Sequence, residues 1–132
     1  MTKKAIQTEK VQTPRGFYSQ GVVSGDLVFI SGQLPLNEKG ELVGANIEEQ
    51  TRQTLKNVEA ILEKAGGTLQ DLLSVTTYLV DGKLWPGFDA AYRQYLANVE
   101  VLPARAAVPV TGLNYGALIE IQAIARCSGK AQ

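Results

Sequence analysis

No histidine occurs among the 132 residues, and cysteine occurs once, at Cys127. The first absence removes the commonest metal ligand and the commonest general base at neutral pH. Any catalysis must rest on carboxylates, Arg, Lys, Tyr, Ser or backbone groups. A lone thiol closes no disulfide within its own chain and is too few for a metal cluster. A chain with no disulfide framework reads as a protein of a reducing compartment, and a cytoplasmic location is expected. Net charge is absent as well: thirteen basic residues balance thirteen acidic ones. Such a chain has no global field to gather phosphates, so no nucleic-acid partner is expected. The start, Met1 to Gln7, is basic but lacks a long apolar segment, and no apolar run is long enough to span a bilayer. Neither a secretory signal nor a membrane partner is expected. Phosphate-binding loops, dinucleotide fingerprints and metal-ligand spacings are missing too, so no cofactor and no metal is implied.

What remains is an ordinary globular composition, 45% apolar and 20% charged, at a length that fits one domain over residues 1–132. Residues 1–16 read as a short strand or arm and then a loop. Val22–Ser24 and Leu27–Leu34 are apolar runs split by Gly25-Asp26, the pattern of a hairpin, and Pro35 ends the second run. Asn46 to Ala65 is the clearest helix. Asn46 and Glu49 suit a capping box, Thr51, Leu55, Val58, Leu62 and Ala65 share one face, and Gly66-Gly67 stops it. Leu72–Val80 reads as a strand, Pro86–Leu96 as a second helix presenting Phe88, Tyr92, Tyr95 and Leu96, and Ala106–Val110 and Leu118–Ala125 as strands. The last six residues read as a tail. The order β-β-β-α-β-α-β-β gives an α+β fold with the helices over one face of the sheet.

The other sheet face is left without a cover. The run Leu118-Ile119-Glu120-Ile121-Gln122-Ala123-Ile124-Ala125 is apolar on both faces, as in strands covered on both sides. Two helices in so short a chain cover only one, so a second copy of the chain is expected on the other, in a closed homo-oligomer.

Few residues are placed to carry chemistry. Arg105 is the only charge between Glu100 and Glu120. It reads either as a solvated arginine at a strand end or as a fork-shaped clamp for a carboxylate. Glu120 interrupts an apolar strand. It sits either on a wetter stretch of the alternating face with Gln122, or as a partly buried carboxylate at an oligomer seam, where desolvation raises its proton affinity and lets it take a proton from water and return it. Tyr18 and Ser31 read as a core-edge tyrosine and a backbone-bonded strand serine, since no histidine is available to activate the serine. Gly32 inside a strand marks a bulge or a close backbone approach.

Several stretches in this order resemble the RidA family of reactive-intermediate deaminases, also called the YjgF family. They are Tyr18-Ser19-Gln20-Gly21, Val28 to Pro35, Gln53 to Val58, Ala65 to Asp71, Thr76 to Asp81, Pro103-Ala104-Arg105 and Ile119 to Ala125. The resemblance implies a chorismate-mutase-like α+β fold and a homotrimer with clefts between subunits. It implies that Arg105 binds a substrate carboxylate, that Glu120 holds and activates the attacking water, and that Tyr18, Ser31 and Gly32 line the pocket. Two further positions follow from the alignment. Ala107 stands where the family often has Cys and acts largely through its backbone, and Asp89 stands in the second helix where an Asn is usual. Phe17 replaces a common Pro, and Gln122 a common Glu.

The activity so implied is hydrolysis of short 2-imino acids such as 2-iminopropanoate and 2-iminobutanoate to 2-keto acids and ammonia. Two alternatives stand beside it. One is a non-enzymatic binder or sensor of small carboxylates or keto acids. The other is a ribonuclease or translation inhibitor, a label some members of the family carry, which zero net charge and the missing histidine disfavour.

Overall fold

The computed structural model describes residues 2–127. Eight regular elements follow one another: β1 (Lys4–Ile6), β2 (Gly21–Ser24), β3 (Leu27–Gln33), α1 (Ile47–Lys64), β4 (Leu72–Leu79), α2 (Trp85–Tyr95), β5 (Ala104–Pro109) and β6 (Ile119–Arg126). The strands form one six-stranded sheet in the order β1-β2-β3-β6-β4-β5. All neighbours run antiparallel except β4 and β5, which are parallel because α2 carries the chain back between them. Strand β5 is thereby an edge, and β6, last in sequence, lies inside.

Local chemistry sets the element ends. The Asn46 side chain accepts the Glu49 N–H at 2.9 Å, which satisfies one orphan donor of α1. The Glu49 carboxylate reaches back to the Ala45 N–H at 2.8 Å, one residue before the position a capping box would use. Gly66, at φ 86°, ends the helix in the left-handed region. The hairpin between β2 and β3 closes on Gly25 and Asp26 as expected, with Gly25 at φ 62°. Strand β5 begins two residues earlier than the sequence indicates, because its pairing with β4 starts at Ala104 opposite Ser74. Cys127, the first residue of the expected tail, is instead buried, and its N–H donates to the Asp26 carbonyl at 2.8 Å. The rest of that expectation, 128–132, lies outside the described residues.

The core lies between the sheet and the two helices. Thr51, Leu55, Val58, Leu62 and Ala65 of the α1 stripe are all buried, and α2 contributes Phe88 and Tyr92. From the sheet come Val28, Ile30, Val75, Leu79, Ile119, Ile121, Ala123 and Ala125. Alternation along β6 leaves Glu120, Gln122 and Ile124 on the opposite face. That face has no helix over it. It carries Phe29 at 42% exposure and Val108 at 39%, large apolar side chains of a kind that a soluble surface usually withdraws.

Polar ties fix the irregular parts. Buried Asn57 donates from α1 to the carbonyls of Leu34 and Leu36 at 3.0 and 2.8 Å, holding the exit of β3 where Pro35 denies it a ladder bond. Buried Gln20 accepts the Thr8 N–H at 2.8 Å and donates to the Thr8, Val11 and Gln12 carbonyls, pinning the amino-terminal arm against β3. Replacing Asn57→Ala removes two hydrogen bonds, leaving the Leu34 carbonyl to the Leu36 N–H and the Leu36 carbonyl to Gln53, and should lower unfolding stability by about 1–3 kcal/mol. Urea denaturation measures it, and an unchanged midpoint would contradict the role given to this side chain.

Candidate functional site

Glu120 and Gly32 meet on the uncovered face. Gln33 pairs with Ile121, and the ladder between β3 and β6 slips between Ile30 and Gln33, so a bulge brings Gly32 against Glu120. A Cβ on Gly32 would overlap the Glu120 carboxylate. The glycine is required here for close approach rather than for an unusual backbone angle. Burial raises the pKa of Glu120 above the ordinary glutamate value. Tyr78 is its cross-strand partner on β4 and spends its hydroxyl on Gln122, donating at 2.8 Å. Tyr18 and Gly32 line one cleft, with Tyr18 57% exposed. The Ser31 hydroxyl donates to the Ser19 carbonyl at 2.6 Å, the backbone-bonded serine read from the sequence.

Arg105 lies elsewhere. Cross-strand partners share a face, and Arg105 stands beside Val75 and Ala123, both buried under the helices. It therefore occupies the helix-covered face, at the β5 edge. Its guanidinium stacks in a cup of α2 aromatics, 4.7 Å from the Tyr92 ring centroid, 4.9 Å from Phe88 and 5.7 Å from Trp85. Asp89, on the same helix, accepts from Arg105 Nη1 at 2.9 Å and from Arg93 Nε at 2.8 Å. The hydrogen bond from Arg93, reinforced by the one from Arg105, holds the Asp89 carboxyl below its ordinary pKa against the opposing effect of burial. Asp89 thus orients Arg105 and leaves the rest of the guanidinium fork unspent. Leu102, Pro103 and Leu96 line the hollow beside it.

The edge strand adds backbone donors. The Val110 N–H donates to the Leu79 carbonyl at 2.7 Å, so the even-numbered peptide groups of β5 face β4. Peptide groups alternate along a strand, which directs the N–H and C=O of Arg105 and Ala107 to the free edge. Pro109 has the same parity, at a place where its missing N–H costs nothing. Ala107 is half-buried, with its methyl against the core and its peptide groups outward.

The sequence-derived residues therefore form two groups. Tyr18, Gly32 and Glu120 cluster on and beside the uncovered face; Arg105, Asp89 and Ala107 cluster at the β5 edge under α2. Within one protomer the sheet separates them. Sequence reasoning missed the aromatic cup, although Phe88 and Tyr92 were placed on one face. It also missed the Asp89–Arg93 pair, whose i,i+4 spacing was the available signal. Among the described residues no group of three or more His, Cys, Asp or Glu side chains is placed to hold a metal ion, and no helix is long and apolar enough to cross a membrane.

Comparison with known proteins gives a consistent picture. The sequence model of the family described as endoribonuclease L-PSP matches residues 8–127. A RutC family protein of Pyrococcus horikoshii is 45% identical over 124 residues, covering 93% of this chain and 97% of that protein. The 2-iminobutanoate/2-iminopropanoate deaminase of Escherichia coli is 37% identical over 123 residues, covering 92% and 96%. Among solved structures, the YjgF gene product of E. coli superposes with a TM-score of 0.89 at 38% identity, covering 93% of this chain and 98% of that one. E. coli TdcF with bound serine superposes with a TM-score of 0.90 at 34% identity, covering 95% and 99%.

The Gly32–Glu120 contact makes a direct prediction. Gly32→Ala should push the carboxylate out toward solvent and return its pKa toward the ordinary glutamate value, with the fold intact by circular dichroism. Carbon-detected NMR titration of the Glu120 side chain reads the shift; an unmoved titration would show that Gly32 does not set this environment.

Proposed function

The chain belongs to the RidA family, whose sequence model carries the endoribonuclease L-PSP description, and from that premise we propose that it hydrolyses short 2-imino acids to 2-keto acids and ammonia. The observation that carries the proposal is Glu120: a half-buried carboxylate with raised proton affinity, set against a residue with no side chain, on a sheet face left open. Similarity to the E. coli deaminase supports the reaction, and the serine bound to TdcF supports a small amino-acid-like ligand.

This reading draws on two copies of the chain. Arg105 presents its fork and two sets of peptide groups at a sheet edge, while Glu120 stands on an uncovered face. Docking the β5 edge of one protomer against the open face of another, in a homotrimer, joins the two groups in one cleft and covers apolar side chains at the same time. Arg105 then takes the substrate carboxylate on the donors Asp89 leaves unused, and the Ala107 peptide groups supply further polar contacts. Tyr18 walls the cleft.

The chemistry is a proton relay on an already reactive bond. Glu120 removes a proton from water as the water oxygen bonds to the imine carbon. The C=N π electrons move to nitrogen, which takes up a proton from solvent, balanced by the hydroxyl proton released at the end, giving a carbinolamine. The protonated Glu120 next delivers its proton to the amine, the C–N bond breaks, and ammonia leaves with that electron pair. The remaining hydroxyl proton is lost as the C=O forms. Glu120 ends as it began, and one water is consumed for each imine. Orientation and one carboxylate suffice, and no step calls for a metal or cofactor.

A binder of small keto acids is the second reading, favoured by the serine held in TdcF. Turnover separates the two. With 2-iminopropanoate generated in situ, wild type should speed decay of the imine, and Arg105→Ala should lower kcat/KM by about 100-fold. Glu120 must be ionised to accept a proton, so kcat/KM should fall as pH drops through its raised pKa, placing the acid limb above the range of an exposed glutamate. Equal imine decay with and without the protein, alongside keto-acid binding by calorimetry, would favour the binder instead.

A further inference from the structure

The cleft that contains Tyr18 and Gly32 also holds a charge that the hydrolysis does not use. It is a small, partly open hollow of about 60 Å³ between the arm at 11–15, the exit of β3 and the turn at 114–116. Arg15 is the only charged side chain among its lining residues. Its position is built rather than incidental. The guanidinium lies 4.8 Å from the centroid of the Tyr115 ring. Tyr115 has φ 64°, a left-handed conformation that a bulky residue adopts only when its surroundings impose it. The Gln12 amide oxygen, in the orientation that satisfies both partners, accepts from Arg15 Nε and from Nη2 at 2.9 Å. The Gly40 carbonyl accepts from Nη2 at 3.4 Å. Three neighbours thus orient the group, and Nη1 makes no hydrogen bond among the described residues.

Arg15 and Gly32 are walls of the same hollow, and Gly32 is where the backbone touches the Glu120 carboxylate. A ligand whose reacting carbon sits at Glu120 has this hollow beside it for its side chain. The unspent Nη1 then offers a charge-assisted N–H donor to an anionic oxygen.

We propose that Arg15, braced by Tyr115 and Gln12, is a second anion subsite, and that the favoured ligands are 2-imino acids with a second carboxylate at the end of the side chain. The proposal rests on the reading of Glu120 as the group that activates water, and it names the substrate class for that site. One carboxylate goes to Arg105 and the other to Arg15, with the imine carbon between them.

The test compares a dicarboxylic and a monocarboxylic ligand in wild type, Arg15→Gln and Arg15→Lys. For turnover the pair is 2-iminoglutarate, made in situ by a glutamate oxidase, against 2-iminobutanoate. For binding it is 2-oxoglutarate against 2-oxobutanoate, by calorimetry. Wild type should prefer the dicarboxylic member in both measurements. Arg15→Gln should lower the dicarboxylic-to-monocarboxylic ratio about tenfold, the effect of losing one charge-assisted contact, and Arg15→Lys should restore part of it. A ratio unchanged by Arg15→Gln, or a wild type that prefers the monocarboxylic member, would overturn the subsite. If wild type turns over neither imine, the hydrolysis reading fails, and the ratio of the two keto-acid affinities still decides whether Arg15 selects a second anionic group.

Discussion

Side chains of residues paired across a sheet project to the same face, and this parity dictates where the chemistry can occur. Arg105, Val75 and Ala123 form one row under the helices; Val108, Tyr78 and Glu120 form another on the opposite side. No rotamer change brings Arg105 round the sheet to Glu120. A reaction that needs both groups must draw them from different protomers, so assembly and activity become one problem. The same constraint accounts for the open face. Two helices cover one side of a six-stranded sheet, and the other side keeps Phe29, Val108 and Ile124 with no helix over them among the described residues.

Both groups are ordered within the single chain. Asp89 is held ionised by Arg93 and Arg105, and the aromatic cup restrains the guanidinium plane. Little side-chain entropy is left for a ligand to remove at that end. At the other end, Gly32 gives Glu120 a close, side-chain-free neighbour, and burial raises its proton affinity. The replacement of a usual Asn by Asp at position 89 is compatible with this arrangement, because Arg93 one turn on supplies a second cation for the added charge.

The fold was largely legible in the sequence. The α1 stripe, the Asn46 cap, the Gly25-Asp26 hairpin and the Gly32 bulge each follow from local rules, and each is present. The expectation that the helices cover one face is met, and the face that carries Glu120 has no helix over it among the described residues. Site residues were less legible, for a physical reason. Strand parity says which face a side chain occupies only once register is known, and the parallel β4–β5 pairing depends on a crossover helix rather than on a turn with a sequence signature. Arg105 and Glu120 therefore read as potential partners, with no local cue that the sheet stands between them. Arg15 and Tyr115 meet from opposite ends of the chain, and no spacing rule brings such residues together.

The central claim is that a guanidinium and a carboxylate from different copies complete one site. Subunit complementation tests it most directly. Inactive Arg105→Ala and inactive Glu120→Gln proteins, mixed in equal amounts under conditions that allow subunit exchange, should regain about one-quarter of wild-type imine hydrolysis, since that share of the junctions in a closed ring would pair an intact Arg105 with an intact Glu120. No recovery, with exchange verified by mass spectrometry, would contradict a site shared between protomers.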